Sequence, residues 1–261
     1  MICHNLKQGN QLDVAGLNQI TVVLDRSETQ LSEAALNCWR PGLDGPPHKH
    51  ERKEQIFYIL AGEGAVRIGE ELFPARQHDL FYVPANVIHQ TINQGKASLD
   101  YFLFNAFLDF DKEGHASFAE HVDKMKSQRL LQAQTQRADA GSSEPLDFSK
   151  AKGKCFQDVS VAKFKPTGDF SETTLLPRQN SGRCEVAVFS WAAGKSHSFK
   201  SDNTREETLY VLAGSGLVTT ENETTSVERG QVIFISGGVK WSAKADAEGL
   251  ICLILSTVLE T

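Results

Sequence analysis

GLDGPPHKHERKEQIFYILAG, residues 42–62, is the stretch that decides how this chain is read. Two histidines, His48 and His50, stand one residue apart after a Pro/Gly-rich entry, and an apolar run, Ile56 to Leu60, follows. In an extended chain residues i and i+2 share a face, so His48 and His50 aim two imidazoles at one point. Gln55 comes just before the apolar run. Its neighbour Glu54 also offers an oxygen, but it is one residue out of register and turns to the opposite face of a strand. A second stretch, HDLFYVPANVIHQTIN at 78–93, supplies His89 after a Pro-containing turn. The predicted metal ligands are therefore His48, His50, Gln55 and His89. Imidazoles accept Zn, Ni, Mn, Fe, Cu or Co with little discrimination, so the expectation is one divalent transition metal of undetermined identity.

Working outward, short apolar strands recur at regular spacing: 20–24, 36–40, 56–60, 65–68, 80–83, 88–92 and 99–107. Turn residues such as Ala61-Gly62-Glu63-Gly64 and Pro84-Ala85-Asn86 separate them. Such punctuation predicts an all-β sandwich or barrel. Residues 115–137 are poor in β-branched side chains, and Phe118, Val122, Met125 and Leu130 with Leu131 fall near helical spacing. One amphipathic helix is expected there, serving core packing or a dimer contact. The Gly/Ser/Pro-containing stretch 138–154 reads as a linker. Strands resume at 185–191, 208–212, 217–220, 231–235 and 250–256.

The halves repeat. IFYILAGEG at 56–64 matches TLYVLAGSG at 208–216, an offset of 214 − 62 = 152. The same offset sets Glu207 on Gln55, Gly230 on His78, Gly238 on Asn86 and Trp241 on His89. Two tandem copies of one β-domain follow, and the second lacks the three imidazoles.

These stretches resemble the cupin superfamily. Its first motif runs glycine, five residues, His-x-His, three or four residues, glutamate, six residues, glycine. Gly42, His48, His50 and Gly62 match it, with Gln55 at the glutamate position. Its second motif runs glycine, five residues, Pro-x-Gly, two residues, histidine, three residues, asparagine. Pro84, His89 and Asn93 match, while His78 and Asn86 replace the glycines. The resemblance implies a bicupin: two jelly-roll β-barrels joined by a helical linker. The expected divisions are 1–110 for the metal-binding barrel, 111–154 for helix and linker, and 155–261 for a degenerate barrel.

Gln55 bears on the chemistry. A neutral amide leaves a divalent ion its full charge and sharpens its Lewis acidity. That favours isomerisation, ring opening, dehydration or cyclisation of a small oxygenated substrate such as a sugar acid or enol. The ligand set resembles that of uronate-converting cupins and cupin-type polyketide cyclases. Two other readings stay open: a dioxygenase, because many bicupins resemble the quercetinase type, and a non-enzymatic small-molecule binding module. By period two, Phe57 and Ile59 accompany Gln55 inward, and Val87 and Thr91 accompany His89. No catalytic acid or base is assigned; the facing of Tyr82 and Tyr101 is open, and a packed core position is the expectation for each. His4, His78, His115, His121 and His197 are read as surface or packing residues.

The bulk composition fits this picture. A net charge of −6 leaves no footprint for nucleic acid. No apolar run is long enough to span a membrane, and the first residues lack the apolar core of a signal peptide. Five scattered cysteines without a CxxC pair read as reduced thiols in a cytoplasmic protein. By analogy with the family a homodimer is expected.

Overall fold

The computed structural model describes residues 1–138, 146–149, 155–200 and 202–260, without the side chains of 127, 128 and 132–138. The chain folds into two compact all-β units. One comprises Gly9–Glu28 and Ser32–Val159, the other Met1–Gln8, Thr29–Leu31 and Ser160–Thr261.

In the first unit a seven-stranded antiparallel sheet runs in the order Phe156–Asp158, Asp79–Val83, Lys53–Ala61, Leu99–Phe107, Ser32–Trp39, Asn18–Leu24, Asn10–Val14. A four-stranded sheet of Leu43–Asp44, His89–Asn93, Gly64–Ile68 and Glu71–Ala75 completes the unit. Phe57, Ile59, Val66, Phe73, Phe81 and Leu99 belong to one buried cluster, which is the jelly-roll interior. Period-two alternation explains its membership, since Phe57 and Ile59 lie two apart on one strand. The strand Glu71–Ala75 escapes a sequence reading because Pro74 interrupts it. At the edge of its sheet, with Pro74 exposed, that proline costs no ladder hydrogen bond.

The second unit holds a sheet ordered Ile2–Asn5, Gln231–Ile235, Arg205–Thr220, Trp241–Val258, Cys184–Trp191, Phe170–Leu176. The expected strands 208–212 and 217–220 are one continuous strand, Arg205–Thr220. Gly214 and Gly216 mark register shifts inside it rather than its end. A Cβ on Gly214 would come within 2.0 Å of the Gly249 carbonyl oxygen, so the glycine serves close backbone approach. The first residues join this unit, with Ile2 paired to Phe234 and Cys3 to Ile233.

The 152-residue offset is visible in the backbone. Gly62 and Gly214 have φ of 84° and 77°, His78 and Gly230 have 75° and 87°, and Asn86 and Gly238 have 64° and 81°. Thus His78 and Asn86 keep the left-handed conformation that glycine provides in the motif they replace.

The expected helix forms at Phe118–Ala138. Phe118 and Val122 join the first unit's core, but Leu130 and Leu131 are exposed. Most of the predicted 138–154 linker lies outside the described residues; Leu146 packs on Ala65, Leu72 and Ile92. Among the described residues no helix is long and apolar enough to cross a membrane.

Candidate metal centre

The backbone builds the site before the side chains do. His48 and His89 form a bridge of two hydrogen bonds, His48 N–H to His89 O at 3.0 Å and His89 N–H to His48 O at 2.8 Å. Asn86 N–H donates to His50 O at 2.7 Å, so the left-handed turn at Asn86 anchors the third histidine. The three rings lie with centroids 4.2 Å (His48 and His89), 5.0 Å (His48 and His50) and 5.5 Å (His50 and His89) apart. One nitrogen from each falls within 4.8 Å of the others.

The ring tautomers follow from their outer partners. The Pro46 carbonyl lies 2.9 Å from His48 Nδ1, and the Val87 carbonyl 3.2 Å from His89 Nδ1. A carbonyl only accepts, so each Nδ1 carries the proton and each Nε2 presents a lone pair. His50 Nδ1 faces Glu113 Oε1 at 3.4 Å. Each imidazole is thus oriented from behind in the manner of metal-bound histidines.

Gln55 sits on Lys53–Ala61, paired with Asn105 on one side and Val83 on the other. Its amide is oriented by a relay that starts at a carboxylate. Glu33 is fully buried and accepts from Arg26 Nε at 2.6 Å and Arg26 Nη2 at 2.9 Å. Asn105 Nδ2 donates to Glu33 Oε1 at 2.6 Å, which turns Asn105 Oδ1 towards Gln55. Gln55 Nε2 donates to that oxygen at 2.8 Å. Among the described residues Gln55 Oε1 is left buried without a partner, as is His89 Nε2. Unsatisfied buried acceptors are costly. Two of them beside a cluster of imidazole nitrogens fit a cation. By contrast Glu54 takes a hydrogen bond from Tyr82 OH at 2.5 Å and does not line the cavity. Gln55 thus lines the cavity and its neighbour Glu54 does not.

Electrostatics also suit ligation. Burial, then the neighbouring His89 and His50, hold His48 down to about 2. Burial and the Lys53 charge hold His50 at about 3, and burial holds His89 at about 4. All three rings are neutral donors at neutral pH. For Glu113 burial pushes upward, but the His50 hydrogen bond and the Lys53 charge outweigh it and hold the carboxyl below its usual range.

Residues 36–104 match the model of the cupin domain family. An uncharacterized protein of Methanocaldococcus jannaschii is 36% identical over 52 residues, which cover 20% of this chain and 42% of that protein. Germin-like protein subfamily 2 member 4 of Arabidopsis thaliana is 30% identical over 89 residues, 32% of this chain and 36% of its own length. This chain therefore spans less than half of either curated relative. An oxalate decarboxylase of Lactobacillus farciminis, solved with formate, superposes over the whole chain and 87% of its own, with TM-score 0.67 and 14% identity. A salicylate 1,2-dioxygenase of Pseudaminobacter salicylatoxidans covers 88% of this chain and 72% of its own, with TM-score 0.62 and 13% identity. At such identities the likeness is one of fold.

The chain has the bicupin fold.

This bicupin's cavity, about 60 Å³, is walled by the imidazoles and Gln55, by apolar Phe57, Leu103 and Phe118, and by polar residues that the sequence reading did not assign. His121 is one: expected as a surface or packing residue, it is buried in the cavity wall with Nδ1 unpartnered. Arg129 is another. The helix stripe that faces the barrel is Phe118, His121, Val122, Met125, Arg129, spaced i, i+3, i+4, i+7, i+11. The apolar spacing points instead to Leu130, one position off and exposed. Lys53 lines the cavity too, paired with Glu113 Oε2 at 2.8 Å. Period two from Gln55 could have revealed it. Tyr101 faces in and Tyr82 does not. Asn37 Nδ2 and Trp39 Nε1 donate to Tyr101 OH at 2.9 and 3.0 Å, and Thr91 Oγ1 lies 3.2 Å away, so the phenol is a fixed wall. In the second barrel Trp241 Nε1 donates to Glu207 Oε2 at 2.7 Å, so the residue aligned with Gln55 is engaged by the one aligned with His89.

Proposed function

We propose that the first barrel is the catalytic domain of a metal-dependent enzyme, with His48, His50, Gln55 and His89 as ligands to one divalent transition metal. The reading rests on Gln55 Oε1 and His89 Nε2, two buried acceptors without partners beside the other two imidazoles. When bound, such an ion supplies Lewis-acid polarisation of a carbonyl or hydroxyl oxygen. The neutral donor set and the absence of any carboxylate among the described residues of the cavity wall favour isomerisation, ring opening, dehydration or cyclisation of a sugar acid or enol over redox work. Phe57, Leu103 and Phe118 exclude water from one side of the substrate. His121 is held neutral, down to about 2, by burial and by the charges of Lys53 and Arg26, and its Nδ1, without a partner among the described residues, leaves a neutral ring nitrogen free to hydrogen-bond at the cavity wall.

The experiment is a turnover screen of uronates and enolisable carbonyl compounds with protein loaded separately with zinc, nickel, manganese or iron. Turnover lost in Gln55→Ala supports the reading, and turnover indifferent to that substitution ends it. The apolar wall, together with the fold likeness to a salicylate dioxygenase, favours a second reading, oxygen-dependent cleavage. Oxygen uptake with a catechol or flavonol in the iron-loaded protein would put that reading first.

A further inference from the structure

Arg129 is 8% exposed, and its Nη1 has no partner among the described residues. It reaches the cavity from the helix Phe118–Ala138. A buried guanidinium without an anion is a costly arrangement unless something arrives to pair with it. The wall offers no internal candidate. Among the described residues it contains Lys53 and Arg129 but no aspartate or glutamate. The nearby carboxylates are engaged elsewhere, Glu113 with Lys53 and His50, and Glu33 with Arg26 and Asn105. Three imidazoles and an amide add no negative charge.

A second orphan lines the same cavity. Asn37 Nδ2 donates to Tyr101 OH, which turns Asn37 Oδ1 to receive Asn18 Nδ2 at 2.6 Å. Asn18 Oδ1 then remains buried with no donor among the described residues. The cavity thus lacks one anion and one hydrogen-bond donor. Its volume of about 60 Å³ accommodates about four to six water-sized groups.

We infer that the site takes a small hydroxycarboxylic acid, its carboxylate held by Arg129 and its hydroxyl donated to Asn18 Oδ1. This rests on the proposed function for the location of the site and names the substrate class for it. A charge-assisted pair to a guanidinium discriminates against the isosteric amide, which can only accept through one oxygen.

The test compares lactate, propionate and lactamide by ligand-observed NMR and thermal shift. It uses full-length protein stripped of metal and, in parallel, loaded with zinc. The expected order is lactate, then propionate, then lactamide, with lactate binding weakened about tenfold or more in Arg129→Gln and partly kept in Arg129→Lys. Asn18→Ala should erase the advantage of lactate over propionate. Lactamide binding as well as lactate, or lactate binding equally to Arg129→Gln, overturns the inference. If Arg129→Gln does not fold, the acid-against-amide comparison on the unaltered protein decides alone. Protein that takes up no zinc yet binds lactate through Arg129 would end the metal reading and leave this inference standing.

Discussion

Gln55 Nε2 lies 2.8 Å from Asn105 Oδ1, and this contact determines which atom of the Gln55 amide faces the three imidazoles. The orientation is inherited from Glu33, a buried carboxylate that can only accept, through Asn105 Nδ2.

Restoring the glutamate of the cupin motif should therefore be unfavourable here. In Gln55→Glu a carboxylate meets Asn105 Oδ1. If Asn105 flips to serve it, the oxygen meets Glu33 instead. Either arrangement leaves two buried acceptors in opposition, at a cost of about 1–3 kcal/mol. Chemical denaturation of the metal-free variant checks this, and stability equal to the parent would contradict the relay.

Glu113 orients His50 and neutralises Lys53. Glu113→Gln should weaken metal binding about 10- to 100-fold, the usual effect of losing an outer partner of a ligand histidine. Competition with a chromophoric chelator measures it. Unchanged affinity would mean that His50 does not depend on Glu113 for its orientation.

The metal-free protein should be acid-labile. His48, His50, His89 and His121 all titrate below the ordinary histidine value when folded. Below about pH 6.5 the unfolded chain therefore binds more protons than the folded one. Their contribution is fully present above that pH and is lost as pH falls towards 4 and below, each ring costing up to about 1.4 kcal/mol per pH unit. Denaturation at pH 7 and pH 5 checks the sign, and added zinc should oppose the loss. Equal stability at the two pH values would show that these rings are protonated without cost.

Gly62 has φ of 84°, and a Cβ there would lie 2.0 Å from the Ser98 carbonyl oxygen. Gly62→Ala must pay left-handed strain of about 1–2 kcal/mol plus a backbone displacement. The expected result is a lower melting temperature of the first unit with its ligand residues unaltered. No change would mean that the 61–64 turn yields freely.

Much of this was legible in the sequence. His48, His50 and His89 fall where two motifs put them, and strand parity separated Gln55 from Glu54. Other features depend on long-range pairing, which one sequence does not display. Asn105 and Glu33 meet Gln55 only through register across neighbouring strands. His121 and Arg129 were hidden because polar residues on a helix are normally solvated, and the apolar pattern diverted the stripe to Leu130. Lys53 was within reach, two residues before Gln55 on the same face. The strand 205–220 was split by its glycines, which serve close approach as readily as turns.

The most direct test of the account is the metal content of the purified protein compared with His89→Ala and Gln55→Ala. The account predicts one equivalent of a divalent transition metal per chain, lost with His89 and weakened with Gln55. Protein that holds no metal after incubation with zinc, nickel, manganese or iron, or that holds it equally without His89, would contradict the central claim.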